Sequence, residues 1–307
     1  MKTGFPKLQV MTFLFMAVAM TGLSEPFDLN YLPKDKAETT DIAKRMLATA
    51  EEVVYLEEHE AQKLWIFHPA DIKEGELRPC IFFIHGGGWG GNPNMLAPQC
   101  LYLVRRGMVA VSIHFRGPST KNKISPYDCL ADCLTAYRWI KLHAKDYHID
   151  PDRIVVSGGS AGGHLALSMV TIDGHTHAGD DLSIPIDPKA LILFNPAIDL
   201  INGWKGGVKK CESHGINPAS FSPAHFVKPG LPETLILSGG KDKIISPEMI
   251  RQFSARMKIH GNVCSFIEYP EAGHSFFNYG REQNVYFHQT LNEVDKFLSK
   301  LGYLNLK

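Results

Sequence analysis

From residue 64 onward, short runs of apolar and often β-branched residues alternate with longer amphipathic stretches. Several of the short runs are almost continuously apolar, which is typical of strands that are covered on both faces of a sheet. The pattern predicts a first strand around 53–57 and further strands at 63–67, 80–85, 109–114, 154–157, 190–194, 234–238 and 264–269. It predicts helices at 98–105, 126–143, 162–170, 247–259 and 285–301.

This alternation of strand and helix predicts an α/β fold, with a mostly parallel central sheet and helices on both of its faces. Two segments do not follow it: 28–49 is charged and partly helical, and 200–229 is rich in Gly, Pro, His and Ser. Long excursions of this kind form either a small cap over a site or plain surface loops, and both interpretations stay open. The site itself is expected at the carboxyl ends of the parallel strands.

The first 24 residues differ from the rest of the chain. Lys2 and Lys7 precede a short apolar run at 10–19, and small residues follow it. This order is typical of a secretory signal peptide, and the run is shorter than the ~20 apolar residues of a membrane helix. We expect residues 1–24 to be a signal peptide, 25–307 to form one α/β domain, and the mature protein to be secreted or periplasmic without stable membrane association. An uncleaved anchor is the alternative.

Composition narrows the partners of the protein. The 32 basic residues equal the 32 acidic ones, so no overall positive field attracts nucleic acid or an anionic membrane, and a neutral or weakly charged small substrate is expected. The six cysteines favour buried free thiols, because a core of this size needs no disulfides, although disulfides stay open. No H-E-x-x-H metal motif occurs, and no metal or cofactor is expected. Composition leaves the oligomeric state open.

The segment 154–164 combines an apolar strand, a sharp turn and the start of a helix. Within it, Gly158, Ser160 and Gly162 fit the pattern G-x-S-x-G. A nucleophile at the tip of so tight a turn needs neighbours without side chains, because the chain passes close to itself there. The turn lifts the hydroxyl clear of the sheet, and the helix directs its first amides toward developing negative charge. Ser160 is therefore the candidate nucleophile.

A glycine loop, His-Gly-Gly-Gly-Trp at 85–89, ends the third predicted strand. Acyl transfer places negative charge on a carbonyl oxygen, and the backbone amides of such a loop are able to bind it. Together with the serine motif, the loop resembles that of the hormone-sensitive-lipase-like esterases of the α/β-hydrolase fold. The resemblance implies that the amides of Gly87 and Gly88, with that of Ala161, form an oxyanion hole, and that His85 orders the loop.

In α/β-hydrolases the nucleophile is followed along the chain by an acid and then by a histidine. Asp242 and His274 each follow a later predicted strand, so their side chains are expected at the same edge of the sheet as Ser160. The resemblance implies that His274 is the base and that Asp242 orients it and stabilises its protonated form. Asp199 lies one strand earlier and is the alternative acid.

The resemblance covers about residues 64–301 and extends to secreted acetylxylan-esterase-like enzymes, through 150–154, 194–196 and 273–280. It implies a serine carboxylesterase that works through an acyl-enzyme, without a cofactor, on short acyl esters such as the acetyl groups of glycans.

Two aromatic residues beside the catalytic loops, Trp89 and Tyr279, are candidate contacts for substrate, with core packing as the alternative. Two other functions stay open from the sequence. One is a serine peptidase of the same fold, and the other is a catalytically inactive binding module that keeps the fold.

Overall fold

The computed structural model describes residues 27–304. The segment 1–24 lies outside the described residues, so the signal peptide stays a prediction. Within residues 27–304, no helix has both the length and the apolar character needed to cross a membrane.

Eight strands form one central sheet. In chain order they are β1 (Glu51–Val54), β2 (Lys63–Phe67), β3 (Arg78–Ile84), β4 (Val109–Ile113), β5 (Ile149–Gly159), β6 (Ala190–Phe194), β7 (Glu233–Gly239) and β8 (Cys264–Tyr269). Their order across the sheet is β1-β2-β4-β3-β5-β6-β7-β8. β2 pairs antiparallel with both of its neighbours, and every other neighbouring pair is parallel.

Helices cover both faces of this sheet. They are α1 (Lys36–Leu47), α2 (Ala97–Arg105), α3 (Pro126–Leu142), α4 (Ala161–Thr171), α5 (Leu200–Gly203), α6 (Lys205–Glu212), α7 (Pro247–Ile259) and α8 (Val285–Lys300). The apolar side chains of α3, α4 and α7 belong to one core cluster, and those of α1, α2 and α8 belong to the other. The predicted α/β-hydrolase architecture is confirmed.

Strand β3 shows why the central strands are almost wholly apolar. Cys80, Phe82 and Ile84 lie in one core cluster, whereas Ile81 and Phe83 lie in the other. Successive side chains of a strand point to opposite faces, so a strand between two helical layers must be apolar at every position. The predicted runs therefore match the strands to within a few residues.

The structure departs from the sequence prediction at two places. The first strand is Glu51–Val54 instead of 53–57, because β1 is an exposed edge strand with a partner on one side only and lacks the apolar run of a central strand. The segment 200–229 is not irregular. It folds into α5, α6 and two 3₁₀ turns, Pro218–Phe221 and Pro223–Phe226.

A buried carboxylate ties α3 to the loops around it. Asp132 is fully buried, and it accepts hydrogen bonds from the Gln62 amide at 2.9 Å, from the Arg116 guanidinium at 2.8 Å and from His177 Nε2 at 2.8 Å. Burial alone would raise the pKa of Asp132, but the bonds from His177 and Arg116 outweigh it, and the pKa lies below its usual value. The ionised form is therefore stabilised by folding.

We expect Asp132→Ala to lower the free energy of unfolding by about 3 kcal/mol at neutral pH, because it leaves a buried cation without its partner. Urea unfolding followed by circular dichroism measures this. Since the folded pKa of Asp132 is depressed, the difference between wild type and variant should shrink as the pH falls through that pKa. Asp146→Ala, at an exposed site, is the control and should change stability by less than about 0.5 kcal/mol. Equal stability of wild type and Asp132→Ala would contradict this role.

Candidate active site

Ser160 stands at a strained turn between β5 and α4. Its backbone has φ 56° and ψ −120°, in the left-handed half of conformational space that residues with a side chain rarely adopt. The turn is possible because the chain passes very close to β3: a Cβ atom at Gly162 would lie 2.1 Å from the Ile84 carbonyl oxygen. Only glycine fits there, which explains the second glycine of the G-x-S-x-G pattern.

The structure brings together the three residues that the sequence analysis assigned to the site. His274 Nε2 lies 3.0 Å from Ser160 Oγ, and His274 Nδ1 lies 2.7 Å from Asp242 Oδ2. The side chain of Asp242 is completely buried, and that of His274 is 15% exposed. These distances allow a proton to move from the hydroxyl to the imidazole while the carboxylate holds the ring.

Two backbone amides fix the carboxylate, and a side-chain amide lies beside the ring. The second oxygen of Asp242 accepts hydrogen bonds from the amides of Ile244 at 2.8 Å and Ile245 at 2.9 Å. The side-chain amide of Asn195, a buried residue with φ 33°, lies 3.3 Å from His274 Nδ1. Asn195 belongs to one of the segments on which the family resemblance was based, and that is the signal that could have identified it.

Asp199, the alternative acid, caps a helix and does not contact His274. Asp199 is the N-cap of α5, where its carboxylate accepts a hydrogen bond from the Asn202 amide at 3.1 Å, and it lies 3.6 Å from His225. Glu271, close to His274 in sequence, forms an ion pair with Lys241. Of the three carboxylates considered, Asp242 is the one that contacts His274.

The glycine loop after β3 lies directly against the serine turn. A Cβ atom at Gly86 would lie 2.7 Å from the Gly159 carbonyl oxygen and 3.4 Å from Ser160 Cβ. Gly87 and Gly88 line the same cavity as Ser160. The loop is therefore placed where its amides could bind an oxygen that is attached to the carbon attacked by the serine.

The amides of Gly87 and Gly88 are each joined to the carbonyl of the preceding residue, and both of these carbonyls have a partner. The Gly86 carbonyl faces His85 Nδ1 at 3.3 Å, and the Gly87 carbonyl accepts a hydrogen bond from the Gly90 amide at 3.1 Å. In a trans peptide the N–H points away from the C=O, so these contacts orient the amides of Gly87 and Gly88. Neither amide donates a backbone hydrogen bond within residues 27–304.

The third amide of the predicted oxyanion hole is arranged in the same way. The Ser160 carbonyl accepts hydrogen bonds from the amides of His164 at 3.0 Å and Ala197 at 3.2 Å. This peptide group ends in the amide of Ala161, the first residue of α4, and the first amides of a helix have no partner within the helix. The Ala161 side chain itself is buried.

His85, the first residue of the glycine loop, forms a hydrogen-bonded pair with His114. Burial is the main reason that the pKa of His85 falls to about 3, and the nearby His114 lowers it further, so the ring is neutral at pH 7. Because Nδ1 faces the Gly86 carbonyl, we assign the proton to Nδ1, which leaves Nε2 as an acceptor. His114 Nδ1, 3.0 Å away, then donates to it. The two rings connect the loop to β4.

The cavity at Ser160 has a volume of about 280 Å³. Apart from Ser160 and His274, glycines and apolar side chains form most of its wall. The lining residues are Gly86, Gly87, Gly88, Met95, Leu96, Gly159, Ser160, Trp204, Ile244, His274, Ser275, Phe277 and Asn278.

The predicted substrate contact at Trp89 needs correction. Trp89 does not line this cavity: its ring is fully buried and packs against Trp204 with 4.8 Å between centroids, and against His164 and Phe221. The backbone at Trp89 has φ 66°, and the side chain lies in the protein interior. The tryptophan in the cavity wall is Trp204, from the segment 200–229 that the sequence named only as a cap or surface loop.

Tyr279 also lies outside the cavity at Ser160. It is buried, its hydroxyl donates to the Tyr31 carbonyl at 2.8 Å, and its ring packs on Phe287. It borders a neighbouring cavity instead. The contact with the N-terminal part of the chain could not be read from local sequence.

The segment 200–229 also reaches the glycine loop. Lys210, on α6, donates a hydrogen bond to the Gly88 carbonyl, and a Cβ atom at Gly88 would lie 3.7 Å from Trp204. The segment therefore contacts both the loop and the cavity, as a cap would.

The remaining polar candidates have structural explanations. His164 is buried and its Nε2 lies 2.7 Å from the Phe221 carbonyl, and His177 is bound to Asp132. All six cysteines are buried and free, so the prediction of buried thiols is confirmed. Residues 27–304 contain no group of three or more His, Cys, Asp or Glu side chains that could hold a metal ion.

One protein family and several curated proteins are similar in sequence to this chain. The BD-FAE family matches residues 64–202. Esterase LipQ of Mycobacterium tuberculosis is 26% identical over 76% of this chain and 58% of its own length. Probable carboxylic ester hydrolase LipM of the same organism is 34% identical over 81% of this chain and 61% of its own length. The chain thus spans about three fifths of the length of these two relatives.

Solved structures cover the chain more fully. Thermogutta terrifontis esterase 2 phosphonylated by sarin is 37% identical, with a TM-score of 0.80 over 85% of this chain and 98% of that one. The propionate-bound form of the Thermogutta terrifontis esterase is 38% identical, with a TM-score of 0.78 over 85% of this chain and 97% of that one. The chain belongs to the esterase family of the α/β-hydrolase fold.

Proposed function

We propose that the protein is a serine carboxylesterase that works through an acyl-enzyme intermediate. The observation that carries the proposal is the hydrogen-bonded series Ser160–His274–Asp242 next to the oriented amides of Gly87 and Gly88. Nucleophile, base, orienting acid and oxyanion donors are the complete set of groups that acyl transfer requires.

In the first half of the reaction, Ser160 Oγ attacks the carbonyl carbon of the ester while His274 Nε2 takes the hydroxyl proton. The carbonyl oxygen becomes negatively charged, and the amides of the glycine loop and of Ala161 bind it. The carbon–oxygen bond to the alcohol then breaks, and His274 gives its proton to the leaving alcohol. In the second half, water repeats the attack on the acyl-enzyme and releases the acid and free Ser160.

We infer a short acyl group, because a cavity of about 280 Å³ lies just below the usual size range of ligand pockets. The structures of the Thermogutta terrifontis esterase with propionate and with butyrate support the same preference. A glycan as the natural substrate is supported by a relative, the acetylxylan esterase of Xylanibacter ruminicola, which is 25% identical over 67% of this chain. Export of the enzyme is supported by the pattern of its first 24 residues.

We expect wild-type protein to hydrolyse p-nitrophenyl acetate and butyrate with a higher kcat/KM than the octanoate, and to release acetate from acetylated xylan. Ser160→Ala should lose about ten-thousand-fold or more in kcat, because the three groups act as a unit. Ser168→Ala, at a buried hydroxyl of α4, is the matched control and should keep its activity. No hydrolysis by the wild type would favour a binding module, and a maximum at octanoate would overturn the short-acyl preference alone.

The nucleophile can be identified without a natural substrate. The Thermogutta terrifontis esterase has been solved phosphorylated by paraoxon, so we expect paraoxon to inactivate this protein with one phosphoryl group per chain. Intact-mass and peptide mass spectrometry should place the group on Ser160, and Ser160→Ala should take up none. Modification of a different residue with equal loss of activity would remove Ser160 from the mechanism.

The histidine pair predicts a specific kinetic effect. His114→Ala removes the donor to His85 and loosens the loop whose amides bind the oxyanion, so kcat for p-nitrophenyl acetate should fall about tenfold with little change in KM, since the interaction forms in the transition state. His59→Ala, at a neighbouring exposed histidine, should leave kcat unchanged. A rise in KM with an unchanged kcat would show that His114 affects substrate binding instead.

A further inference from the structure

The glycine loop after β3 has little rigidity of its own. Five of the six residues at 86–91 are glycine, the residue that loses the most backbone freedom on folding. The carbonyls of residues 86–88 each have a hydrogen-bond partner, and the partners of the first two come from the same short stretch of chain. The partner of the third carbonyl comes from a distant part of the chain and attaches the loop to it.

This third partner is Lys210, on α6. Its Nζ atom donates a hydrogen bond to the Gly88 carbonyl across 122 positions of sequence. A Cβ atom at Gly88 would lie 3.4 Å from the same Nζ atom, so the ammonium group is in contact with the loop at the residue whose amide is expected to bind the oxyanion. A charged donor makes a stronger hydrogen bond than a neutral one, which suits it to hold a mobile loop.

The backbone from which Lys210 extends is itself well held. Trp204, the N-cap of α6, and Cys211 are both buried in a core cluster. At the end of the helix, the Lys210 carbonyl accepts a hydrogen bond from Ser213 Oγ at 2.9 Å, and His214 Nδ1 lies 2.8 Å from it. The Lys210 side chain is half-buried. Its ammonium group is thus presented from a fixed support, as a positioning contact requires.

The next residue of the loop is attached to the same segment. The Trp89 ring packs on Trp204 with 4.8 Å between centroids and on Phe221 with 5.6 Å. Two consecutive residues, Gly88 and Trp89, therefore contact the segment 200–229, one through a hydrogen bond and the other through aromatic packing. The second half of the glycine loop takes its position from this segment.

Lys210 acts on the loop and not on the substrate. It does not line the cavity at Ser160, whereas Gly88 and Trp204 do. Loss of the Lys210 side chain should therefore affect the reaction through the Gly88 amide. That amide forms its strongest hydrogen bond when negative charge develops on the carbonyl oxygen, so the effect should fall on the transition state more than on the bound substrate.

We propose that Lys210 is a positioning residue for the oxyanion hole, and that the segment 200–229 has a part in the chemical step through it. The hydrogen bond to the Gly88 carbonyl holds the backbone of Gly88, and with it the direction of the Gly88 amide. The proposal rests on the esterase function proposed above and extends it to a residue outside the cavity.

Lys210→Met tests it, because methionine keeps the apolar stem of the side chain and removes the donor. We expect kcat for p-nitrophenyl acetate to fall about tenfold with KM within about twofold, since outright removal of an oxyanion donor costs about a hundredfold or more and here the donor is only loosened. Lys210→Arg keeps a cationic donor and should retain at least about a third of the wild-type kcat. Lys209→Met, at the exposed neighbour on the same helix, should behave as the wild type.

A second measurement separates positioning from a general effect on the fold. With trifluoromethyl ethyl ketone, Ser160 Oγ forms a bond to the carbonyl carbon, the hydroxyl proton moves to His274 Nε2, and the carbonyl oxygen becomes negatively charged. The inhibition constant of this ketone should rise in Lys210→Met by about the same factor by which kcat/KM falls, because the adduct resembles the transition state. Urea unfolding should show that the variants are folded, and Lys210→Ala should reproduce the loss if Lys210→Met does not fold.

The outcomes distinguish the two proposals. A wild-type kcat and inhibition constant in folded Lys210→Met overturns the positioning role and leaves the esterase function intact. A raised KM with unchanged kcat, or an equal loss in Lys210→Arg and Lys210→Met, overturns it as well. Failure of the wild type to hydrolyse p-nitrophenyl acetate overturns the esterase function itself.

Discussion

The close approach of the serine turn to the end of β3 is the contact on which the site depends. The backbone of Gly162 passes against the Ile84 carbonyl, and Gly86 lies against the turn from the other direction. Two neighbouring parallel strands, β3 and β5, thus present their carboxyl ends in fixed register. Because no side chain fits between them, the serine turn and the glycine loop lie in direct backbone contact. Asp242 and His274 then reach the same edge from β7 and β8, which continue the parallel sheet.

The orientation of the amides is a second consequence of this packing. The carbonyls of Gly86, Gly87 and Ser160 each have a partner, and the N–H on the opposite side of each of these peptide groups donates no backbone hydrogen bond within residues 27–304. Donors held in this way need not reorganise when charge appears on the substrate, which is the condition for effective electrostatic stabilisation. His85 contributes to this arrangement through its contact with the Gly86 carbonyl, and burial keeps its ring neutral at pH 7.

The sequence was informative where backbone geometry restricts the choice of residue. The glycines around Ser160 and the apolar run of β3 follow from close contact and two-sided burial, and both can be read locally. The position of Trp89 could not, because its ring packs on His164, Trp204 and Phe221, which come from distant parts of the chain. Trp204 lines the cavity instead, and it comes from a segment whose short helices were not predicted. Asp132 was not anticipated, since its partners come from three separate parts of the chain.

The candidate active site and the wall of the neighbouring cavity come from different parts of the chain. The serine turn and the glycine loop lie within residues 64–202, the stretch shared with the BD-FAE family, whereas α1 precedes that stretch and forms one wall of the neighbouring cavity. Lys36, Thr39 and Thr40 of this helix line the cavity, whereas Ile42 and Met46 pack in the core. Changes at the cavity-lining positions of α1 would therefore alter the surroundings of the site without altering Ser160, His274 or Asp242.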